Sequence, residues 1–112
     1  MEGLFVSSVN PERWEPDPDV PGSEMHEIVH TDEMWAGLTR FQTVDGPSSW
    51  TPPQRETIHI LEGQVRIEIG GGPALDLKPG DVASLPAGCE TTWHIIAPFK
   101  EFWVFASSHP AP

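Results

Sequence analysis

The sequence predicts an all-β fold in which short strands close into a small barrel. Apolar and polar residues alternate through residues 55–61 and 64–69, the pattern of half-buried strands. Turn signals containing Gly or Pro follow at residues 62–63, 78–81 and 86–88, and such frequent turns are typical of small β-barrels. No segment combines helical periodicity with helical length, so we expect little helix.

Composition and charge exclude several classes of protein. The 112 residues carry a formal net charge of −11, so nucleic acid and anionic membrane surfaces would repel the chain. The single cysteine, Cys89, cannot form an internal disulfide and suits a reducing compartment. The first residues lack the features of a signal peptide, and no apolar run is long enough to cross a membrane. We therefore expect one soluble, cytoplasmic domain without nucleic-acid or membrane partners.

Three regions follow from the order of residue types along the chain. Residues 1–23 form an arm whose many prolines exclude both helix and central strand. Trp14 within this arm either anchors it to the body of the protein or stacks on a ligand. Residues 24–107 form the barrel domain, and residues 108–112 form a loose tail.

Within the barrel domain, glycine and proline indicate where strands bend or end. Residues 34–44 form a long strand, and Gly37 inside it indicates a bulge or a close backbone approach. Glu62-Gly63 lies between two alternating runs and predicts a hairpin turn. Two further strands, ETTWHII and KEFWVFA, are expected on either side of Ala97-Pro98.

Spaced motifs in this region resemble those of the cupin superfamily. They are Glu56 with Leu61-Glu62-Gly63, the turn at 77–81, the turn at 85–88, and Thr92-Trp93. Within cupins, the chain is most similar to small single-domain proteins of the ureidoglycine aminohydrolase and ethanolamine-utilisation type. The resemblance covers residues 34–105 and implies a double-stranded β-helix, the jelly-roll barrel. It also implies edge strands that pair two subunits, so with the aromatic, Pro-rich arm we predict a homodimer.

The same resemblance allows the metal-ligand positions of cupins to be transferred. Glu56 matches the glutamate ligand, whereas the three histidine positions fall on Ser49, Thr51 and Thr91. Neutral hydroxyls are poor ligands for Mn, Fe, Ni, Cu or Zn, and one carboxylate does not hold such an ion tightly. His59 and His94 should face away from the interior. His26 and His30 would enter only if the N-terminal strand folds over the barrel mouth. We therefore predict no tightly bound metal and no cofactor.

What remains is a predicted interior with a few polar groups among apolar ones, the usual composition of a small-molecule site. Its expected polar and aromatic members are Ser49, Thr51, Glu56, Thr91 and Trp93, with Ile58, Ile60 and Ile95 beneath them. The pKa of a carboxyl in such a setting is expected to rise, so Glu56 is a candidate general acid or base. Alternatively, Glu56 is a barrel residue that is hydrogen-bonded to Thr91 or Ser49.

Arg40 and the tryptophans can likewise be assigned either to ligand binding or to the structure of the barrel. Arg40 is a candidate ligand-binding residue and counter-charge for Glu56, or it lies at the surface. Trp50, Trp93 and Trp103 suit core packing.

Two principal hypotheses of function follow. In the first, a metal-independent cupin binds a small polar metabolite in the barrel, with acid–base chemistry by Glu56. In the second, a metal-dependent cupin enzyme acts on a small nitrogenous metabolite, as ureidoglycine aminohydrolase does. Elemental analysis of the purified protein separates the two hypotheses. A third reading is an accessory protein without a ligand, in which side chains fill the barrel.

Overall fold

The computed structural model describes residues 1–106, which contain eight β-strands and no helix. The predicted all-β fold is therefore confirmed, and these residues include no helix long and apolar enough to span a membrane. The expected tail and residue 107 lie outside the described residues. The strands are β1 (Glu15–Pro16), β2 (Glu24–His30), β3 (Met34–Phe41), β4 (Ser48–Trp50), β5 (Glu56–Ile69), β6 (Ala74–Leu77), β7 (Val82–Leu85) and β8 (Thr91–Ala106).

The two longest strands, β5 and β8, pair with each other along their whole lengths. They run antiparallel, with Glu56 opposite Phe105 at one end and Ile69 opposite Thr91 at the other. The register shifts on both sides of Glu62, and bulges of this kind bend a strand. Each long strand therefore contributes one half to each of two layers.

The remaining strands extend these two layers. The first layer has the order β1-β2-β3-β8-β5-β7, and the second has the order β4-β8-β5-β6. The inward residues of both layers form one buried core, as the alternation of burial along β5 and β8 requires. The core consists of Phe41, Ile58, Ile60, Val65, Ile67, Leu85, Trp93, Phe99, Trp103 and Phe105.

The predicted hairpin at Glu62-Gly63 is wrong. Gly63 has the positive φ of 79° that a turn would need, but the chain continues beyond it in the same strand. Gly63 lies at a bulge within β5 and not at a turn, because β8 runs past this point and pairs with β5 on both sides of it. The two strands expected on either side of Ala97-Pro98 are also one strand, β8, because β5 pairs with it on both sides of that dipeptide.

The arm packs across the outer face of the first layer. The ring of Trp14 lies 4.3 Å from the Arg40 guanidinium, and Lys100 donates a 2.6 Å hydrogen bond to the side chain of Asn10. Leu38, two residues from Arg40 on the same face of β3, is completely buried. Trp14 therefore anchors the arm on the barrel, and this proline-rich segment, whose regular structure is limited to β1, covers a face of the sheet that would otherwise be exposed.

Gly37 meets the close approach that the sequence predicts. A Cβ atom at this position would lie 2.9 Å from the indole of Trp103 and would also meet the carbonyl oxygen of His26. We expect Gly37→Ala to lower the free energy of unfolding by about 1–3 kcal/mol, because the Trp103 ring and the β2 backbone must both move. Urea denaturation followed by tryptophan fluorescence measures this change.

Gly72→Ala is the matched control for this variant. A Cβ there would make only an ordinary 3.4 Å contact with a side-chain carbon of Ile69. Its free energy of unfolding should stay within about 0.5 kcal/mol of the wild-type value. Equal stabilities of the two variants would contradict the packing described for Gly37.

Candidate functional site

A cavity of about 260 Å³ lies between the two layers of the barrel. Strands β3 and β8 supply most of its wall, β4 and the start of β5 complete it, and the turn of the arm at residues 17–20 forms one lip. Its volume is slightly below the roughly 300 Å³ at which drug-sized pockets begin. The wall is mainly aromatic and includes Trp35, Phe41, Trp50, Trp93, Trp103 and Phe105.

Glu56 lies in this cavity, as the sequence predicts for the barrel interior. It is the first residue of β5 and shares the inward face of the strand with Ile58 and Ile60, so only 4% of it is exposed. Burial raises the pKa of its carboxyl from 4.5 to about 7, although the hydrogen bond from Trp50 lowers it in part. Its hydrogen-bond partner is thus the Trp50 indole, at 2.8 Å, and not Thr91 or Ser49.

Glu101 is a second buried carboxyl in the same cavity, and our sequence reasoning missed it. It lies on β8, is 5% exposed, and its Oε2 has no hydrogen-bond partner among the described residues. Burial raises the pKa of Glu101 well above its ordinary value, and the negative charge of Glu56 raises it further. The two carboxyls therefore titrate as a coupled pair that retains at least one proton near neutral pH.

The alternation of β8 contains only a partial signal for Glu101. Phe99, Trp103 and Phe105 share its parity in the strand and are all buried. The opposite parity carries Phe102, which is also apolar, so the sequence alone does not show which face of β8 is turned inward.

A hydrogen-bond network holds the tryptophans of the cavity in place. Thr91 donates its hydroxyl to the backbone carbonyl of Trp50 and accepts a 2.8 Å hydrogen bond from the Trp93 indole. Trp50 in turn donates to Glu56. Thr91 is therefore a positioning residue behind the wall, and Trp93 lines the cavity itself.

Sequence comparison assigns this barrel to a family. The sequence model of the EutQ-like cupin domain matches residues 39–102, more than half of the chain. The chain belongs to the EutQ-like cupin domain family. No curated protein sequence matches this cupin.

Solved structures of other cupins share its fold. KdgF from Halomonas sp. aligns with a TM-score of 0.72 at 18% identity, over 97% of this chain and 96% of that one. A protein named for ethanolamine utilization, EutQ from Salmonella typhimurium LT2, aligns with a TM-score of 0.70 at 18% identity, over 86% and 80%. A cupin superfamily protein from Desulfitobacterium hafniense DCB-2 gives 0.67 at 19%, over 88% and 94%. Such identities show the fold alone, which confirms the cupin jelly roll. The likeness to ureidoglycine aminohydrolase stays a prediction.

Ser49 and Thr51 do not occupy the predicted interior positions of this cupin. Both are exposed, whereas Ser48 and Trp50 line the cavity. Strand pairing gives the physical reason, because Ser48 lies opposite the inward-facing Trp93, and its neighbour Ser49 must then face outward. The predicted register of β4 is therefore wrong by one residue.

Arg40 does not reach the cavity. Its neighbour Thr39 faces inward, so Arg40 lies on the outer face of β3, where it forms a 3.0 Å ion pair with Glu24 and contacts Trp14. The predicted role of Arg40 as a ligand-binding counter-charge for Glu56 is therefore wrong, and its alternative location outside the barrel is the one observed.

The residues at the cupin metal positions do not fit a first-row metal ion. Ser49 and Thr51 face away, and the Thr91 hydroxyl is engaged with Trp50 and Trp93. Within residues 1–106, no group of three or more His, Cys, Asp or Glu side chains is placed to hold a metal. That the purified protein carries no tightly bound metal stays a prediction.

The four histidines within residues 1–106 lie outside the cavity. His26 contacts Ser7 and the backbone of Arg13, and His30 stacks on Trp35 with 4.8 Å between ring centroids. His59 lies on the outward parity of β5, and His94 is exposed. None of the four lines the cavity.

The raised pKa of Glu56 predicts a protein that loses stability as the pH rises. Between pH 4.5 and about 7, the folded protein keeps a proton that the unfolded chain has released. The contribution is complete below pH 4.5 and is lost as the pH rises through 7, by at most about 3 kcal/mol. We expect Glu56→Gln to reduce the fall in the free energy of unfolding between pH 5 and 8, as measured by urea denaturation.

Glu33→Gln is the control for the loss of a surface carboxyl. Glu33 is exposed in the turn between β2 and β3. This variant should keep the wild-type fall between pH 5 and 8. A wild-type slope in Glu56→Gln as well would show that Glu56 titrates normally.

Proposed function

We propose that this cupin binds a small polar metabolite in its interior cavity and exchanges a proton with it through Glu56 and Glu101. The observation that carries the proposal is the presence of two buried carboxyls in one aromatic cavity. Burying even one ionisable group without full pairing destabilises a fold. Strongly perturbed carboxyls in a cavity are typical of sites that bind or react.

Glu56 has the properties of a general acid or base. With a pKa of about 7, its carboxyl is present in both protonation states near neutral pH, the condition under which proton transfer is most effective. The Trp50 indole fixes one carboxyl oxygen by a 2.8 Å hydrogen bond. The neighbouring Glu101 accepts or supplies the second proton of the pair, and no metal takes part in the proposal.

A larger depression at the surface lacks these properties. It is an open groove of about 790 Å³ beside β5, β6 and β8. Its charged groups include Arg66 and Asp76, which neutralise each other in an exposed 2.8 Å ion pair. Exposed pairs of this kind have little effect on reactivity or stability, so we place the function in the interior cavity.

Quaternary structure and location complete the proposal. We retain the homodimer and the cytoplasmic location expected from the sequence. The exposed apolar side chains Leu4, Phe5, Val6 and Val9 in the arm support a dimer, since a second subunit would cover them.

A metabolite library tests the proposed site directly. Thermal shift and the fluorescence of the cavity tryptophans should identify compounds that stabilise the wild-type protein, by about 2.7 kcal/mol at 100 times the dissociation constant. Glu56→Gln and Glu101→Gln should each weaken the binding of these compounds at least about 10-fold, because each removes a buried carboxyl group that contacts the ligand and exchanges a proton with it.

Glu68→Gln, which alters a surface carboxyl, should retain wild-type affinity for the same compounds. The proposal fails if no compound distinguishes the two cavity variants from this control. It also fails if elemental analysis finds near-stoichiometric Mn, Fe, Ni or Zn, which would favour the metal-dependent alternative.

A further inference from the structure

We infer that the ligand of the cavity is a small organic cation, an amine or a quaternary ammonium compound. This inference rests on the proposed function, because it specifies the chemistry of the metabolite at that site. It follows from which hydrogen-bonding groups the wall leaves available, which charges line it, and how its aromatic rings are placed.

The wall offers acceptors and almost no free donors. Each of its four indole N–H groups is already engaged within the protein. Trp35 donates to Glu27, Trp50 to Glu56, Trp93 to Thr91 and Trp103 to Thr39. Within the part of the chain that the structure describes, the other side-chain donors of the wall are two hydroxyls, from Thr39 and Ser48, apart from any proton held by the carboxyls. A ligand that needs donors, such as a carboxylate or phosphate, would therefore be poorly satisfied.

The charges of the wall have one sign. Among residues 1–106, its titratable members are Asp17 and Asp19 at the lip and Glu56 and Glu101 inside, and no Lys, Arg or His of this part of the chain lines the cavity. The nearest basic residue of β3, Arg40, is paired with Glu24 outside. An anion would therefore find no positive partner and would be repelled by the ionised carboxylates, whereas a cation would be attracted to them.

The unpaired oxygen of Glu101 marks where the positive charge belongs. A buried acceptor without a hydrogen bond is unusual in folded proteins and costs free energy. Glu101 Oε2 is such an atom among the described residues, and it lies in a residue of the cavity wall. An ammonium N–H, or the positive charge of a quaternary nitrogen, would compensate this acceptor.

Aromatic rings surround the carboxyls and suit the same ligand. Trp35, Trp103 and Phe105 form one cluster with ring centroids 5.0 to 5.4 Å apart, and Trp50 contacts Phe105 at 6.3 Å. The Trp35 ring is stacked on both His30 and Phe105, so the other rings of the wall are the ones whose π faces are available to a ligand. Cations bind to such faces, and aromatic cages are the known means of recognising quaternary ammonium groups.

Binding of a cation should be linked to loss of a proton from the cavity. The coupled carboxyls hold a proton near neutral pH, and an entering cation replaces its positive charge. One proton then passes from the carboxyl pair to solvent for each cation bound, which balances the charge. The remaining titratable groups that face the pair, Asp17 and Asp19, lie at the lip on the arm.

Three probes of similar shape and different charge test the inference. They are choline, its neutral isostere 3,3-dimethyl-1-butanol, and the anion 3,3-dimethylbutanoate, each titrated into the full-length protein and followed by calorimetry and tryptophan fluorescence. At pH 8 we expect choline to bind at least about 10-fold more tightly than the alcohol, and the anion not to bind. Between pH 5.5 and 8 the affinity for choline should rise roughly 10- to 30-fold.

Glu101→Gln should remove most of the preference for choline over the alcohol, and Glu68→Gln should leave it unchanged. If the alcohol binds as tightly as choline, the ligand is not a cation, although the cavity still binds small molecules as proposed. If none of the probes binds while library compounds of another charge class do, the inference is likewise overturned. Displacement of choline by micromolar Mn²⁺ or Zn²⁺ would show that the cavity is a metal site, and would overturn the inference that its ligand is an organic cation.

Discussion

The pairing of β5 with β8 along their whole lengths is the constraint on which the rest of the structure depends. Both strands bend at the same level, so each contributes to both layers of the barrel. The antiparallel register places Glu56 opposite Phe105, and Glu101 opposite Ile60, on inward-facing positions of neighbouring strands. The pairing of these two strands therefore suffices to bring two carboxyls that are far apart in sequence into one cavity.

Polar groups that form hydrogen bonds within the protein hold the cavity wall in place, whereas one carboxyl oxygen inside the cavity has no hydrogen-bond partner among the described residues. Thr91 fixes two tryptophans, and Trp50 fixes one oxygen of Glu56, so the aromatic wall is preorganised. Glu101 retains an unpaired oxygen instead, in a place where solvation is lost. A fold maintained for stability alone would favour an apolar residue at this position, because a well-packed hydrophobic side chain carries no desolvation cost. This contrast supports a binding role for the interior.

The sequence predicts the strands and the barrel well, because alternation and turn chemistry are local. It does not distinguish the bulge at Gly63 from a hairpin turn, since both need a glycine with positive φ and only the partner strand decides between them. The inward positions of β4 depend on its pairing with β8, which the sequence does not show. Ser49 and Thr51 were therefore expected inside, whereas their neighbours Ser48 and Trp50 line the cavity. Glu101 was missed because residues of both parities in β8 are apolar.

The central claim is that Glu56 and Glu101 form one buried, electrostatically coupled pair that retains a proton near neutral pH. A ¹³C NMR titration of the glutamate side-chain carboxyl carbons, with the two signals assigned by the Glu56→Gln and Glu101→Gln variants, tests it most directly. The account predicts one signal with a midpoint near pH 7, from Glu56, and a second that titrates at higher pH, from Glu101, whose midpoint falls when Glu56 is replaced by Gln. Two independent midpoints near 4.5, the ordinary pKa of a glutamate, would contradict it.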